Sequence, residues 1–196
     1  MRSKHWLERQ KKDLYVKKAK EEGYLSRAAF KLIEIEKKFS IISKAKTVLE
    51  LGSSPGSWSQ VICKVNKNAT IHAFDMIDMN FQHPQVKFFN ENLLEFNFGD
   101  LNKKYDLILS DVAPNTIGHQ ATDHLRIITL IEFIIDIVEN KIKKNGNFIF
   151  KIWKGSQDKN IINKLSYKFN KISIFKPRSS RIRSSEIYVI AQRFII

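Results

Sequence analysis

A single cysteine, Cys63, stands among 196 residues, so neither an internal disulfide nor a multi-cysteine zinc site is expected. Prolines number four and glycines seven, and no low-complexity linker or internal repeat interrupts the chain. No apolar run approaches the ~18 residues of a transmembrane helix, because Asp136 and Glu139 break the longest Ile-rich stretch. The N-terminus lacks the apolar core of a secretory signal. Secreted, membrane-spanning and zinc-finger classes are thereby set aside. The length suits one domain, residues 1–196, with a substantial core, and a monomer with no membrane and no metal partner is expected.

Acidic residues are scarce in one place above all. Residues 141–183 hold one acid, Asp158, against 13 basic side chains. Residues 1–46 carry 14 basic and 6 acidic groups, whereas residues 47–140 carry 6 and 12. The net charge of +14 is therefore concentrated at the two ends of the chain, where a polyanion such as nucleic acid would be met, while the middle does something else. Lys, Asn and Ile number 26, 14 and 27, a bias that AT-rich coding would produce. Such a bias inflates Lys but does not remove acids from 141–183.

The hydrophobic pattern alternates strand and helix. Residues 26–39 read as a helix with one buried stripe (Phe30, Ile33; Leu32, Ile35, Phe39) and Ser26 as its cap. Strands are expected at 47–51, 70–75, 86–89, 105–110, 148–153, 172–175 and 187–194. Helices are expected at 57–65, 123–143 (ended by Asn145-Gly146) and 158–169. This alternation predicts an α/β fold, a mostly parallel seven-stranded sheet with helices on both faces. Ligands of such sheets bind beyond the carboxyl ends of the strands.

Chemistry-bearing residues gather at those ends. Gly52-Ser-Ser-Pro-Gly56-Ser-Trp58 follows the first strand and opens a helix, so backbone and helix-end N–H groups can approach a ligand. It departs from G-x-G-x-x-G, because Ser54 replaces the second glycine and Pro55 is inserted. Asp75 ends the second strand 23 residues after Gly52, the spacing at which an acid takes ribose hydroxyls in nucleotide folds. An ordinary strand–turn–helix loop with a capping acid would look the same. Asp111-Val-Ala-Pro-Asn115 ends the fourth strand. Lys151 interrupts the apolar run Phe148–Trp153, where a buried Lys needs a partner or a shifted pKa, although lysines at strand ends usually reach solvent. Glu186 is the only acid after Asp158.

Together Ser26-Arg-Ala-Ala-Phe-Lys31-Leu, Leu51-Gly-Ser-Ser-Pro-Gly-Ser-Trp-Ser-Gln60, Ser110-Asp-Val-Ala-Pro-Asn115, Phe150-Lys-Ile-Trp153 and Arg183-Ser-Ser-Glu-Ile-Tyr-Val189 resemble the FtsJ-type ribose 2'-O-methyltransferases, in order and spacing, from about Trp6 to Ala191. The resemblance implies a Rossmann-like S-adenosylmethionine fold that methylates RNA, with residues 1–46 as a basic helical RNA-facing segment and 47–196 as the core. It implies a catalytic set of Lys31, Asp111, Lys151 and Glu186. It further implies that Gly52, Pro55 and Gly56 lie against the methionine part of the cofactor with Trp58 beside it, that Asp75 takes the ribose hydroxyls, and that Asp111 sits near the sulfonium. Asn92 falls where bacterial members usually have an acid on the adenine amine, and its oxygen can still accept that bond. Ser53, Ser54 and Ser57 replace smaller residues.

Within that reading Lys151 takes or orients the 2'-hydroxyl proton. An ordinary Lys is almost fully protonated at neutral pH, so a base role requires a neighbouring cation such as Lys31 and partial burial. Asp111 would fix Lys151, and Glu186 would hold Lys31 or the substrate ribose. Lys176, Arg178, Arg181 and Arg183 form an RNA-binding cluster, notable because only 8 arginines exist and the forked guanidinium suits phosphate. The opening Trp6-Leu7, Asp13, Tyr15-Val16 and Ala19 pattern resembles the bacterial branch acting on large-subunit ribosomal RNA. A branch methylating the tRNA anticodon loop, which Lys20-Glu-Glu-Gly-Tyr24 resembles, stays open, as does a non-catalytic RNA-binding module. A nicotinamide dehydrogenase would require neither Lys151 nor so basic a surface. An intracellular location is expected, with cytoplasm, nucleolus and mitochondrion all open.

Overall fold

The computed structural model describes residues 13–113, 120–155, 158–181 and 184–195. Trp6, Leu7, Pro114, Asn115 and Arg183 lie outside the described residues. The elements are α1 (Leu14–Glu21), α2 (Ala28–Phe39), β1 (Thr47–Leu51), α3 (Ser57–Val65), β2 (Thr70–Asp75), β3 (Val86–Asn90), β4 (Tyr105–Ser110), α4 (Gln120–Lys141), β5 (Ile142–Trp153), α5 (Asp158–Ser166), β6 (Phe169–Phe175) and β7 (Glu186–Phe194).

The strands form one sheet in the order β3-β2-β1-β4-β5-β7-β6. Strands β1 to β5 pair in parallel, and β7 runs antiparallel to both β5 and β6. The fold is Rossmann-like. Strands β1 and β4 are buried along nearly their whole length because helices cover both faces of the sheet. On one face Leu49, Leu51, Ile108, Phe148 and Phe150 pack against Ile127–Val138 of α4 and Leu165 of α5. On the other, Val48, Leu107, Leu109, Ile149 and Tyr188 meet Leu32 and Ile35 of α2 and Val61 and Ile62 of α3. Each large apolar side chain buried in this way contributes about 1.5–3 kcal/mol.

Several boundaries differ from the sequence expectation, each for a tertiary reason. The long helix ends at Lys141 and β5 begins at once, so Asn145-Gly146 lies inside the strand instead of closing the helix. The ladder slips there: β4 advances from Tyr105 to Leu107 while β5 advances from Ile142 to Asn147. Asn145 takes up the bend at φ +63°. A Cβ on Gly146 would lie 2.6 Å from Ile142 Cγ1, so the bend closes tightly on glycine. Strand β6 starts at Phe169, the residue expected to finish the preceding helix, because Phe169 pairs with Phe194 and their rings meet at 5.2 Å. Helix α2 begins at Ala28 with Arg27, not Ser26, in the N-cap position and no side-chain cap bond, while Ser26 Oγ one residue earlier accepts from Ala28 N–H at 3.2 Å.

The order of strands reverses between β1 and β4, so loops after β1, β2 and β4 diverge around a crevice at one sheet edge. Because β7 is antiparallel, its first residues arrive at that same edge: Glu186 pairs with Trp153 and Tyr188 with Lys151.

Candidate active site

The crevice begins where β1 meets the glycine loop. Gly52 N–H and Ser53 N–H both donate to Phe74 O of β2, at 2.9 and 3.1 Å, and Gly56 N–H donates back to Ser53 O at 2.7 Å. Gly52 has φ +78°, and a Cβ there would lie 2.9 Å from Val112 N. Gly56 has φ +108°, and a Cβ there would lie 2.5 Å from Phe81 Cβ. Both positions therefore demand glycine on two counts, left-handed backbone and lack of room. Pro55 lies between them, its carbonyl accepting from Asn80 N–H at 3.2 Å. Asp75 closes the cradle: its carboxylate accepts from Ser54 N–H and from Ile77 N–H, both at 2.9 Å. A carboxylate offers about four lone-pair sites, so two remain for ribose hydroxyls.

Helix α3 opens from Gly56, and the first-turn N–H groups of Ser57, Trp58 and Ser59 lack partners within the helix. The Trp58 side chain is buried. Its ring is 3% exposed, its Nε1–H donates to Ala28 O at 2.9 Å, and it packs 5.8 Å from the Tyr188 ring. The indole holds α2 against α3, so only the Trp58 backbone can face a cofactor. Asn92 spends its side chain locally, accepting from Leu94 N–H at 3.1 Å and donating to Glu95 at 2.7 Å. Met76 and Ile77 after β2, and Leu94 after β3, stay 61–66% exposed, an apolar feature that sequence reading missed. Its signal was present: an apolar pair directly after the strand-end acid, where a turn would ordinarily be polar.

Across the crevice the four predicted catalytic residues come together as two ion pairs. Lys151 lies 3.0 Å from Asp111 Oδ1 and also donates to Asp111 O at 2.6 Å. Its side chain is only 11% exposed. It shares a sheet face with Ile149, toward α2 and α3, and stands opposite Tyr188 on β7. The Tyr188 hydroxyl donates to Asp111 Oδ1 at 2.8 Å, a third contact no sequence pattern signalled. Lys31, one helical turn inside α2, lies 2.6 Å from Glu186 Oε1, which also accepts from Ser180 Oγ at 3.1 Å. Lys31 Nζ sits 5.7 Å from the Tyr188 ring centre, so the two pairs flank one tyrosine. Lys31 is thus no bare cation beside Lys151, as the base role required; Glu186 neutralises it.

Electrostatics follow from this pairing. Burial pushes the Asp111 carboxyl up, but Lys151, then Lys31, then the Lys151 and Tyr188 hydrogen bonds outweigh it and hold Asp111 below the ordinary carboxylate range. Burial, with Asp111 and Glu186 close by, drives the Tyr188 phenol well above its ordinary value, so it is a permanent donor. Beneath the glycine loop, Glu50 is 1% exposed and takes a 2.5 Å hydrogen bond from Ser59 Oγ. Burial raises its carboxyl to about 8, the Ser59 bond opposing, with Asp111 and Asp75 adding to the rise. Ser53 Oγ is buried there with no partner.

The basic loop after β6 is bound to the N-terminal helices. Glu34 of α2 accepts from Arg178 N–H at 2.6 Å and Ser179 N–H at 2.9 Å. Arg27 bonds both Asp13 and the Ser179 carbonyl. Arg181 Nε lies 3.6 Å from Asp13. Lys176 donates to Ser184 O at 2.8 Å. The side chain of Arg178 stays exposed, and that of Arg181 is 42% exposed. Helices α1 and α2 and the loop after β6 are therefore joined, and Ser180 of that loop reaches the Lys31–Glu186 pair.

A Rossmann-like sheet with a glycine cradle, a strand-end acid and two lysine–acid pairs opposite forms a crevice suited to a nucleotide-like ligand. The profile of the FtsJ-like methyltransferase family matches residues 24–194, and the chain belongs to that family. It is 40% identical over 199 residues to ribosomal RNA large subunit methyltransferase E of Rickettsia felis, covering 96% of this chain and 88% of the relative. The protein of the same name from Ehrlichia chaffeensis is 43% identical over 202 residues, covering 99% and 94%. A Plasmodium falciparum structure described as a ribosomal RNA methyltransferase superposes with a TM-score of 0.76 at 33% identity, over 88% of this chain and 99% of that one. A fibrillarin/Nop5p complex, at TM-score 0.58 and 16% identity over 76% and 73%, shares the fold. The family implies a methyl donor of the S-adenosylmethionine type. The residues fit such a group: glycines where a Cβ would collide, unpartnered helix amides, spare acceptor sites on Asp75 and a buried orphan hydroxyl on Ser53.

Proposed function

We propose that this protein transfers a methyl group from S-adenosylmethionine to a ribose 2'-hydroxyl of large-subunit ribosomal RNA. The observation that carries the reading is the Lys151–Asp111 pair at the crevice end of β4 and β5. Lys151 has three N–H directions, and Asp111 occupies two of them. The third is left for a hydroxyl oxygen. The bound cofactor supplies a sulfonium methyl whose leaving group is already activated, so the protein's tasks are position and charge.

Gly52, Pro55, Gly56 and the Trp58 backbone N–H hold the methionine end, Asp75 the ribose hydroxyls and Asn92 the adenine edge. Asp111 places negative charge near the sulfonium and orients Lys151. Lys151 would orient the 2'-hydroxyl oxygen toward the sulfonium methyl that the bound cofactor would supply. With its third N–H donated to that oxygen, Lys151 takes no proton, and the hydroxyl proton would pass to solvent water as the oxygen accepts the methyl group. Lys31, held by Glu186, sits on the RNA side of that centre. Arg178 and Arg181, with Lys176 and Arg183 of the same loop, take phosphates. The names of the relatives favour ribosomal RNA over the anticodon loop. Incubation with methyl-labelled S-adenosylmethionine and large-subunit or transfer RNA, followed by mapping of 2'-O-methyl sites, tests this. Label confined to one ribosomal position is expected, and label on transfer RNA alone would overturn the substrate.

A further inference from the structure

Helix α3 does more than open the cofactor cradle. Four of its side chains reach the turn that joins α1 to α2. Gln60 Oε1 accepts from Leu25 N–H at 2.9 Å, and Gln60 Nε2 donates to Gly23 O at 3.1 Å. The Ser57 and Ser26 hydroxyls share a hydrogen bond of 2.7 Å. Trp58 Nε1–H bonds Ala28 O, and Lys64 Nζ stands 3.8 Å over the Tyr24 ring. The backbone closes the end of α1 here, with Gly23 N–H donating to Lys20 O at 3.3 Å and Tyr24 N–H to Ala19 O at 2.8 Å, while Gly23 has φ +73° and nothing lies within 4 Å of a Cβ built there. Trp58 and Ser57 secure the α2 side of the turn. Lys64 Nζ also donates to Glu22 O at 3.4 Å, whereas Gln60 both donates to and accepts from the backbone of the tip, at Gly23 and Leu25.

What the turn controls lies at its two ends. Helix α2 carries Lys31. Helix α1 starts at Asp13, whose carboxylate meets Arg27 and Arg181. A change of angle at Gly23–Leu25 swings the Asp13 end, and with it the anchorage of Arg181 in the basic loop. We propose that Gln60 is a positioning residue for the RNA-facing wall: by clamping the Gly23–Leu25 turn to α3 it sets α1, and through Asp13 the basic loop, relative to the methyl-transfer centre. The role rests on the RNA methyltransferase reading above, and it assigns a helix of the cofactor cradle a second task on the substrate side.

Gln60→Ala removes both bonds, and Gln60→Glu keeps the acceptor for Leu25 N–H while losing the donor to Gly23 O. For Gln60→Ala, steady-state methylation should show KM for ribosomal RNA raised about fivefold or more, with kcat within about threefold and calorimetric affinity for S-adenosylmethionine within about twofold. Gln60→Glu should fall between it and the unaltered protein, and it decides the matter if Gln60→Ala does not fold. Amide hydrogen exchange should accelerate in α1 and at Leu25 but not in the first turn of α3. An unchanged KM for RNA overturns the proposal, as does a parallel fall in kcat, cofactor affinity and Tm, the mark of general loosening. Failure of the functional reading would show differently, as no transfer to ribosomal RNA by the unaltered protein. The exchange rates in α1 would then still decide the clamp, and unaltered rates in Gln60→Ala would overturn it.

Discussion

On the β1–β2 side of the crevice, Asp75 is met only by backbone N–H groups, Glu50 only by Ser59, and Ser53 Oγ by nothing. On the β5–β7 side each charge meets an opposite one, Lys151 with Asp111 and Lys31 with Glu186, and Tyr188 adds a neutral donor. The first side carries the charge of Asp75 with spare acceptor sites, because Glu50 with its carboxyl raised to about 8 is mostly protonated at neutral pH. The second side pairs its two lysines with two acids and so balances their charge locally. Affinity for the cofactor and orientation of the acceptor are therefore separable by mutation.

The largest test of that separation is Lys151→Met, which keeps aliphatic bulk and deletes the amine. Single-turnover transfer should fall by about 10²–10⁴ while calorimetry finds cofactor affinity near normal. Asp111→Asn should damage transfer as well, because the two act as one unit. Transfer within a few-fold of the unaltered protein would remove Lys151 from the centre.

Glu50 sharpens the other side. Its carboxyl is raised to about 8 in the folded chain, against an unfolded value near 4.3, so its stabilising effect is complete below about pH 4.3. As pH climbs toward 8 the unfolded carboxyl ionises alone, and stability is lost at about 1.4 kcal/mol per pH unit. Glu50→Gln stays neutral throughout and should flatten that slope. Thermal melts of both proteins from pH 5 to pH 8.5 read it out, and matching slopes would show that Glu50 ionises freely.

Asp75→Ala should weaken S-adenosylmethionine about tenfold or more, the loss of a charge-assisted bond of roughly 1.5–3 kcal/mol, with RNA affinity unmoved. Calorimetry that finds no change would dissolve the ribose assignment. Smallest of all, Arg178→Gln with Arg181→Gln should lower RNA affinity a few-fold and reduce the salt slope by about 0.7 for each phosphate no longer neutralised. A slope left intact would make the loop a solvated surface and weaken the division between the two sides.

Local rules made much of this legible. The strand β1, helix α3 and the Asp75 strand end could be read to the residue, because periods of 2 and 3.6 and a glycine turn depend on neighbours in the chain. The helix-ending role of Asn145-Gly146 failed because pairing of β5 with β4 outweighed a turn signal. The direction of the Trp58 indole could not be read from its place in a cofactor motif, and packing against α2 buries it.

The residue types at the strand ends and the segregation of charge were settled by sequence alone, since each is a property of composition or short-range order. Which lysine meets which acid was expected only through the family resemblance, not from composition or short-range order. That depended on β7 entering antiparallel, which brings Glu186 to the same sheet edge as Trp153 and Tyr188 beside Lys151, and on α2 packing over them with Lys31 facing Glu186. So did the union of the two basic ends through Asp13, Arg27, Glu34 and Arg181. Contacts between residues near opposite ends of a chain leave no periodic trace, because they form only when burial of both sheet faces forces those segments together.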